Sequence, residues 1–205
     1  MKRLVIACCL AISASAHAAD VFVEAHAGAL LGYGAEAGVD FGLVRVRGQF
    51  NSFDYDTDLE IDGNDFDIAL ALDNRGVLVD LHPFAGAFHF TGGLYDNQNM
   101  ASGDAKGVVL VNGKPAIGVS ADADFSSTAP YVGIGWLFGR DNKGLVAHLE
   151  VGVLDNGDAD VSLYVPSFNG AVTAEDVAIE EREMEEDLEG FGFFPVIKLG
   201  VGYYF

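Results

Sequence analysis

The chain has 205 residues, with 31 Asp and Glu against 11 Lys and Arg, a formal charge of −20. So acidic a chain repels nucleic acid and does not bind a polyanionic surface through its overall charge. Yet half of its residues are hydrophobic and its mean hydropathy is +0.25, so charge and apolar surface are segregated along the sequence.

The first segment, MKRLVIACCLAISASAHA, has Lys2 and Arg3, an apolar run from Leu4 to about Ala14, and Ala16-His17-Ala18. That is the pattern of a secretory signal peptide, and it predicts a mature chain of residues 19–205 beginning at Ala19. The apolar run is too short to cross a bilayer as a helix. Both cysteines, Cys8 and Cys9, lie within it, so the mature chain has no thiol for disulfide, metal or catalytic chemistry. Loss of Lys2 and Arg3 leaves 9 basic against 31 acidic residues, a charge of −22.

No later segment has the 18 to 20 apolar residues of a membrane helix, and what recurs is alternation with period two, the strand signal. VFVEAHAGA opposes Val21, Val23, Ala25 and Ala27 to Glu24, His26 and Gly28. LVRVRGQF sets Val44, Val46 and Phe50 against Arg45, Arg47 and Gln49. AFHFTGGLY, LVAHLEVGVL and the closing FFPVIKLGVGYYF continue the pattern. The strands predicted in chain order are 21–29, 32–41, 43–58, 64–82, 87–97, 126–138, 145–165 and 191–205. Connections at Gly42, at Pro83 to Gly86 and at Gly139 to Gly144 are short; those at 30–31, 59–63, 98–125 and 166–190 alternate with them, and two are long.

Alternation alone also fits a soluble sandwich. The polar faces, however, are rich in Gly, which suits a crowded interior, and the leader places the chain beyond the inner membrane. A spanning sheet must close on itself to leave no free edge in lipid. The expected fold is therefore all-β: an eight-stranded antiparallel transmembrane β-barrel with a short acidic helix in its last outer loop.

Eight strands enclose an interior just wide enough for side chains to fill. Facing the polar sets inward gathers Glu24, His26, Glu36, Asp40, Arg45, Arg47, Asp80, His89, His148, Glu150 and Lys198 there. Buried charges of this kind must pair, which predicts a plug of salt bridges, with Arg45 and Arg47 partnering Asp40 across the Gly42 turn. The same residues could instead line a narrow conduction path.

VDLHPF at 79–84, APYVGIGW at 129–136 and the closing FFPVIKLGVGYYF resemble the small OmpA-like and OmpW-like outer-membrane barrels of Gram-negative bacteria. The resemblance runs in order over most strands of the mature chain, although each motif is mainly a barrel-strand pattern. It implies a porin-like cell-envelope protein of the bacterial outer membrane, monomeric and without cofactor, surrounded by lipid and lipopolysaccharide. It also implies insertion by the barrel assembly machinery, with Tyr203 and Phe205 in the terminal assembly signal. No peptidoglycan-binding domain is expected.

Two acidic regions remain. In DYDTDLEIDGNDFD, Asp58, Glu60, Asp62 and Gly63 fall at positions 1, 3, 5 and 6 of an EF-hand loop, but position 12 is Ala69 where a bidentate Glu is required. This reads as a solvated outer loop, and no metal is expected. TAEDVAIEEREMEEDLEGF, 173–191, has strong helix formers, Thr173 at its start and Gly190 at its end, and predicts an acidic helix at the outer mouth with Val177, Ile179, Met184 and Leu188 toward the rim. The reading is a structural or interaction protein rather than an enzyme, a narrow channel standing second. A lipid-modifying catalyst stands third, because no nucleophile motif accompanies His26, the only histidine expected near the outer mouth.

Overall fold

In a computed structural model, residues 19–29, 31–61, 64–125, 128–166, 172–188 and 192–205 are described. The leader, Asp62 and Gly63 of the acidic loop, and Gly190 lie outside them.

Eight strands close into one antiparallel barrel: β1 (Asp20–Ala29), β2 (Gly32–Asp40), β3 (Val44–Ile61), β4 (Asn64–Leu81), β5 (Phe88–Asn97), β10 (Thr128–Phe138), β11 (Gly144–Asp155) and β13 (Phe193–Tyr204). Each pairs with its neighbour in chain order, and β13 returns to β1 with Tyr204 opposite Phe22. The turns after β2, β4 and β10 lie at one end of the barrel together with Asp20 and Phe205, and this is the terminal end. The first hairpin, where ALLGYG offers no clean turn signal, closes tightly, with Gly28 opposite Gly32. Gly32 has φ +75°, a left-handed conformation costly for any residue with a Cβ.

Hydrophobicity is inverted relative to a soluble protein. Val23, Val77, Val79, Leu94, Val132, Leu145, Leu199 and Val201 stand exposed on the outer wall, while the alternate positions of the same strands are buried and largely polar. Phe84, Phe88, Phe90 and Trp136 form an aromatic group at the terminal end, with Phe88 edge-on to Trp136 at 5.7 Å. An apolar outer band flanked by aromatic residues, around a closed ladder with no free edge, is the arrangement lipid requires.

The outer connections hold more structure than loops. Strand β3 pairs with β2 as far as Ser52 and runs on to Ile61, so the β3–β4 hairpin rises beyond the barrel wall. On its upper part β4 pairs with β6 (Met100–Ala105), which pairs with β9 (Ser120–Phe125), which pairs with β12 (Ala159–Tyr164). The hairpin of β7 (Val108–Val111) and β8 (Lys114–Ile117) and helix α1 (Ala174–Leu188) complete an ordered cap. Two expectations are corrected. Residues 98–125, expected as a loop, contain four strands. The seventh strand, expected to run to 165, ends at Asp155, where Gly157 at φ +67° and the hydrogen bond its N–H donates to Asp155 Oδ1 turn the chain toward the cap.

Helix α1 lies at its expected place, and Thr173 and Asp176 cap it reciprocally: the Thr173 amide donates to Asp176 Oδ2 at 2.8 Å and the Asp176 amide to Thr173 Oγ1 at 3.3 Å. It packs on β12 and β7 rather than on the barrel rim, with Val177 against the cluster of Val111, Ala116 and Val119. Strand β12 is the free edge of the cap sheet. Glu181 and Glu185 accept hydrogen bonds from the Leu163 and Val161 amides at 2.8 and 3.2 Å, covering that edge.

Candidate functional site

The lumen is built in layers by the strand register. At the terminal end, Phe22, Leu137, Val146 and Tyr204 pack together. Toward the loop end, Leu31, Leu78, Tyr95, Ala129, Tyr131, Leu154 and Val196 form a second apolar layer. Between them lie most of the charges, with Asp40 at the terminal end itself.

All eleven charged or histidine side chains assigned to the polar faces are buried. Nine of them join directly in one connected network, and Asp40 reaches it through the Tyr204 hydroxyl. Arg45 donates to Glu36 and Asp80, each at 2.7 Å, and its guanidinium lies 4.4 Å from the centre of the Phe22 ring. Arg47 reaches Glu36 and Glu150, each at 2.5 Å, and Asp80 at 3.0 Å. Lys198 donates to Glu36 at 2.9 Å, Tyr131 to Glu150 at 2.8 Å and Thr91 to Asp80 at 2.8 Å. The His148 Nδ1 lies 2.8 Å from Glu24 Oε1, and its Nε2 lies 3.3 Å from His89 Nε2. His26 lies 2.6 Å from Asn51 and reaches the network through Gln49, which donates to Asn51 and accepts from Arg47 and Lys198. Glycines on the facing strands make room for these groups: a Cβ on Gly135 would fall 2.5 Å from His89 Nε2.

Asp40 differs from expectation. Its partners are Arg140, at 2.8 Å, and Tyr204, at 3.1 Å, whereas Arg45 and Arg47 reach across to Asp80 and along to Glu36. Arg45 stands in register with Asp40 on one side and Asp80 on the other and pairs with the second, while Arg47 crosses the lumen to Glu150, so nearness along the chain does not select partners. Arg140, absent from the expected set because it lies in a turn, also donates to the carbonyls of Gly42 and Gly86 and so ties the three terminal-end turns together. Its signal in the sequence is a lone Arg in GRDNKG, flanked by two strands that otherwise place polar groups inward. A chain of amides lies at the loop end: Asn74 donates to Asn99 and Asn97 to Asn156, each at 2.9 Å, and the Asn99 backbone amide donates to Asn97 Oδ1 at 3.1 Å. Phe205 is exposed on the outer wall, its amide donating to Val21 O at 3.0 Å and its ring edge-on to Tyr203.

In the acidic outer loop, Lys106 bridges Asp58 and Asp67, both at 2.5 Å. Hydrogen bonds to Asp58 and Asp67 hold the Lys106 ammonium above its ordinary pKa, and hydrogen bonding with Asp67 and Lys106 lowers that of Asp58. Asp58 is thereby engaged with an ammonium, in the segment where the EF-hand pattern fails.

The architecture recurs in solved structures. CarO2 of Acinetobacter baumannii aligns with a TM-score of 0.61 at 22% identity, covering 91% of this chain and 98% of CarO2. CarO of the same bacterium aligns at 0.59 with 21% identity, covering 91% and 98%. A major outer membrane protein of Thermus thermophilus is more distant, at 0.42 and 18% identity, covering 92% of this chain and 100% of that one. The fold is that of an eight-stranded outer-membrane β-barrel. No protein-family model matches the sequence, and no curated protein is significantly similar to it.

Proposed function

We propose that the protein is an integral outer-membrane barrel whose lumen is a structural plug and whose acidic outer cap is its working surface, contacting a partner at the cell exterior. One observation carries the reading: the charged layer of the lumen is bounded on both sides by packed apolar side chains. An ion following the axis would have to pass the packed side chains of both clusters and displace guanidinium–carboxylate pairs at 2.5–2.7 Å. The cap, by contrast, is ordered and strongly acidic, and surface segments held on a rigid scaffold are where binding roles concentrate. Lipid at the apolar belt and lipopolysaccharide around the rim are its proposed surroundings, and the closing strand with Tyr203 and Phe205 is the proposed signal to the assembly machinery. A catalytic role has less support. Among the described residues, His26, His82, His89 and His148 meet Asn51, backbone carbonyls, carboxylates and one another, and no serine.

Single-channel recording of the refolded mature protein in a planar bilayer, at two salt concentrations and beside Arg45→Ala, tests the closed lumen. A silent wild-type membrane, with folding verified by heat-modifiable gel mobility, is the expected result. Steady wild-type openings that change in Arg45→Ala would overturn it in favour of a narrow channel.

A further inference from the structure

Within the charged layer, three side-chain atoms face one point. His89 Nε2 and His148 Nε2 are 3.3 Å apart, His148 Nε2 and Glu150 Oε2 are 3.3 Å apart, and His89 Nε2 and Glu150 Oε2 are 3.5 Å apart. A tetrahedral ion bound at about 2.0–2.1 Å spaces its ligand atoms about 3.3–3.4 Å from one another. The three atoms thus already form one face of such a tetrahedron. We infer that His89, His148 and Glu150 form a buried binding site for a single divalent transition-metal ion of the zinc or cobalt type.

The surroundings carry the inference further. The His148 ring turns Nδ1 to Glu24 Oε1 at 2.8 Å, the carboxylate–histidine arrangement that fixes the tautomer and aims the opposite nitrogen at a metal. Glu150 is oriented through its other oxygen by Tyr131, while Arg47 and Thr91 lie against the oxygen that faces the histidines, at 2.5 and 3.3 Å. Bordering the group, Glu24 Oε2 and His82 Nε2 are buried without a hydrogen-bond partner, and the His82 ring stands 5.0 Å from that of His89.

Charge balance points the same way. Glu24, Glu36, Asp80 and Glu150 are four buried carboxylates against three permanent cations, Arg45, Arg47 and Lys198. With neutral histidines the layer is one positive charge short, and buried charge must be compensated. A divalent ion with a hydroxide in its fourth position supplies one unit. Because apolar layers lie above and below, the ion is enclosed as the barrel closes and exchanges slowly afterwards.

Refolding the mature protein with Co2+ as the only added metal, followed by a chelator wash, tests this. The expected result is one cobalt retained per barrel with the visible absorption of a tetrahedral nitrogen and oxygen site. It is lost in His89→Gln, bound about ten- to a hundredfold more weakly in Glu24→Gln, and unchanged in Asp58→Asn, which removes a carboxylate of the acidic outer loop. Cobalt that does not survive the wash in wild type, or survives equally in folded His89→Gln, overturns the site. Should His89→Gln fail to fold, X-ray absorption on the loaded wild-type protein decides instead: two imidazoles around cobalt support the assignment, and an oxygen-only shell overturns it.

Discussion

Arg47 touches three carboxylates on three different strands, Glu36, Asp80 and Glu150, with no side-chain exposure to solvent. Removing one member of a buried ion network leaves its partners charged and unpaired, at a cost of about 3–5 kcal/mol. Arg47→Met should therefore lower the free energy of folding into lipid vesicles, measured by urea titration, by an amount in that range, and adding Glu150→Gln should recover part of the loss; strictly additive losses would argue against a shared network. In the cap, Asp176 works outside the lipid. Hydrogen bonds from Lys114 at 2.6 Å and from Thr173, with Asn112 contributing, hold its carboxyl well below the ordinary aspartate range. A depressed folded-state value means that its contribution is complete above the unfolded value of about 4 and is lost as pH falls from there toward the folded value. Hydrogen-exchange protection across 174–188, corrected for the intrinsic rate at each pH, should accordingly be high at pH 5 and fall as pH drops below about 4, whereas Asp176→Asn should be less protected at pH 5 and insensitive to that drop.

Among the elements, those buried on one face and bathed in lipid on the other were legible from the sequence, because a one-residue slip would invert every side chain and period two is therefore strict. Apart from the seventh, which ends ten residues early, the barrel strands fall within a few residues of their expected limits, and every charge placed on their polar faces is buried. Alternation names a face and no partner, which is why the bonds of Asp40 to Arg140 and of Arg47 to Glu150 could not be read from it. The cap strands were illegible for another reason: MASGDA and SADADF are only six residues long and their apolar positions are mostly alanine, a weak signal, and their order comes from pairing in series onto the overhanging β4. The break at Asp155-Asn156-Gly157 did carry a turn signal, outweighed by the alternation that resumes at Val161. The seal on β12 supplies a prediction at this scale. Glu181→Ala with Glu185→Ala should leave the Val161 and Leu163 amides open for pairing with another chain, read as faster protease cleavage of the cap or as self-association in light scattering, while the barrel keeps its heat-modifiable mobility.

For the molecule as a whole, closure depends on β13 meeting β1, and the last hydrogen bond of that seam is made by Phe205. Deleting Phe205 should leave refolding in detergent nearly intact but reduce the yield of assembled barrel in cells, measured as the protease-sensitive fraction; equal yields would sink the assembly-signal proposal. The β3–β4 hairpin links the two halves of the molecule. Its upper nine residues on β3, from Phe53 to Ile61, reach about 30 Å along the chain at the rise of a strand, and the cap sheet is founded on the partner strand beside them. The lower parts of the same two strands carry Arg45, Arg47 and Asp80. The hairpin is thus a mast stepped in the keel: a pull on the cap is borne by covalent backbone down to the lumen ion pairs, so those pairs anchor the outer surface against load as well as filling the barrel.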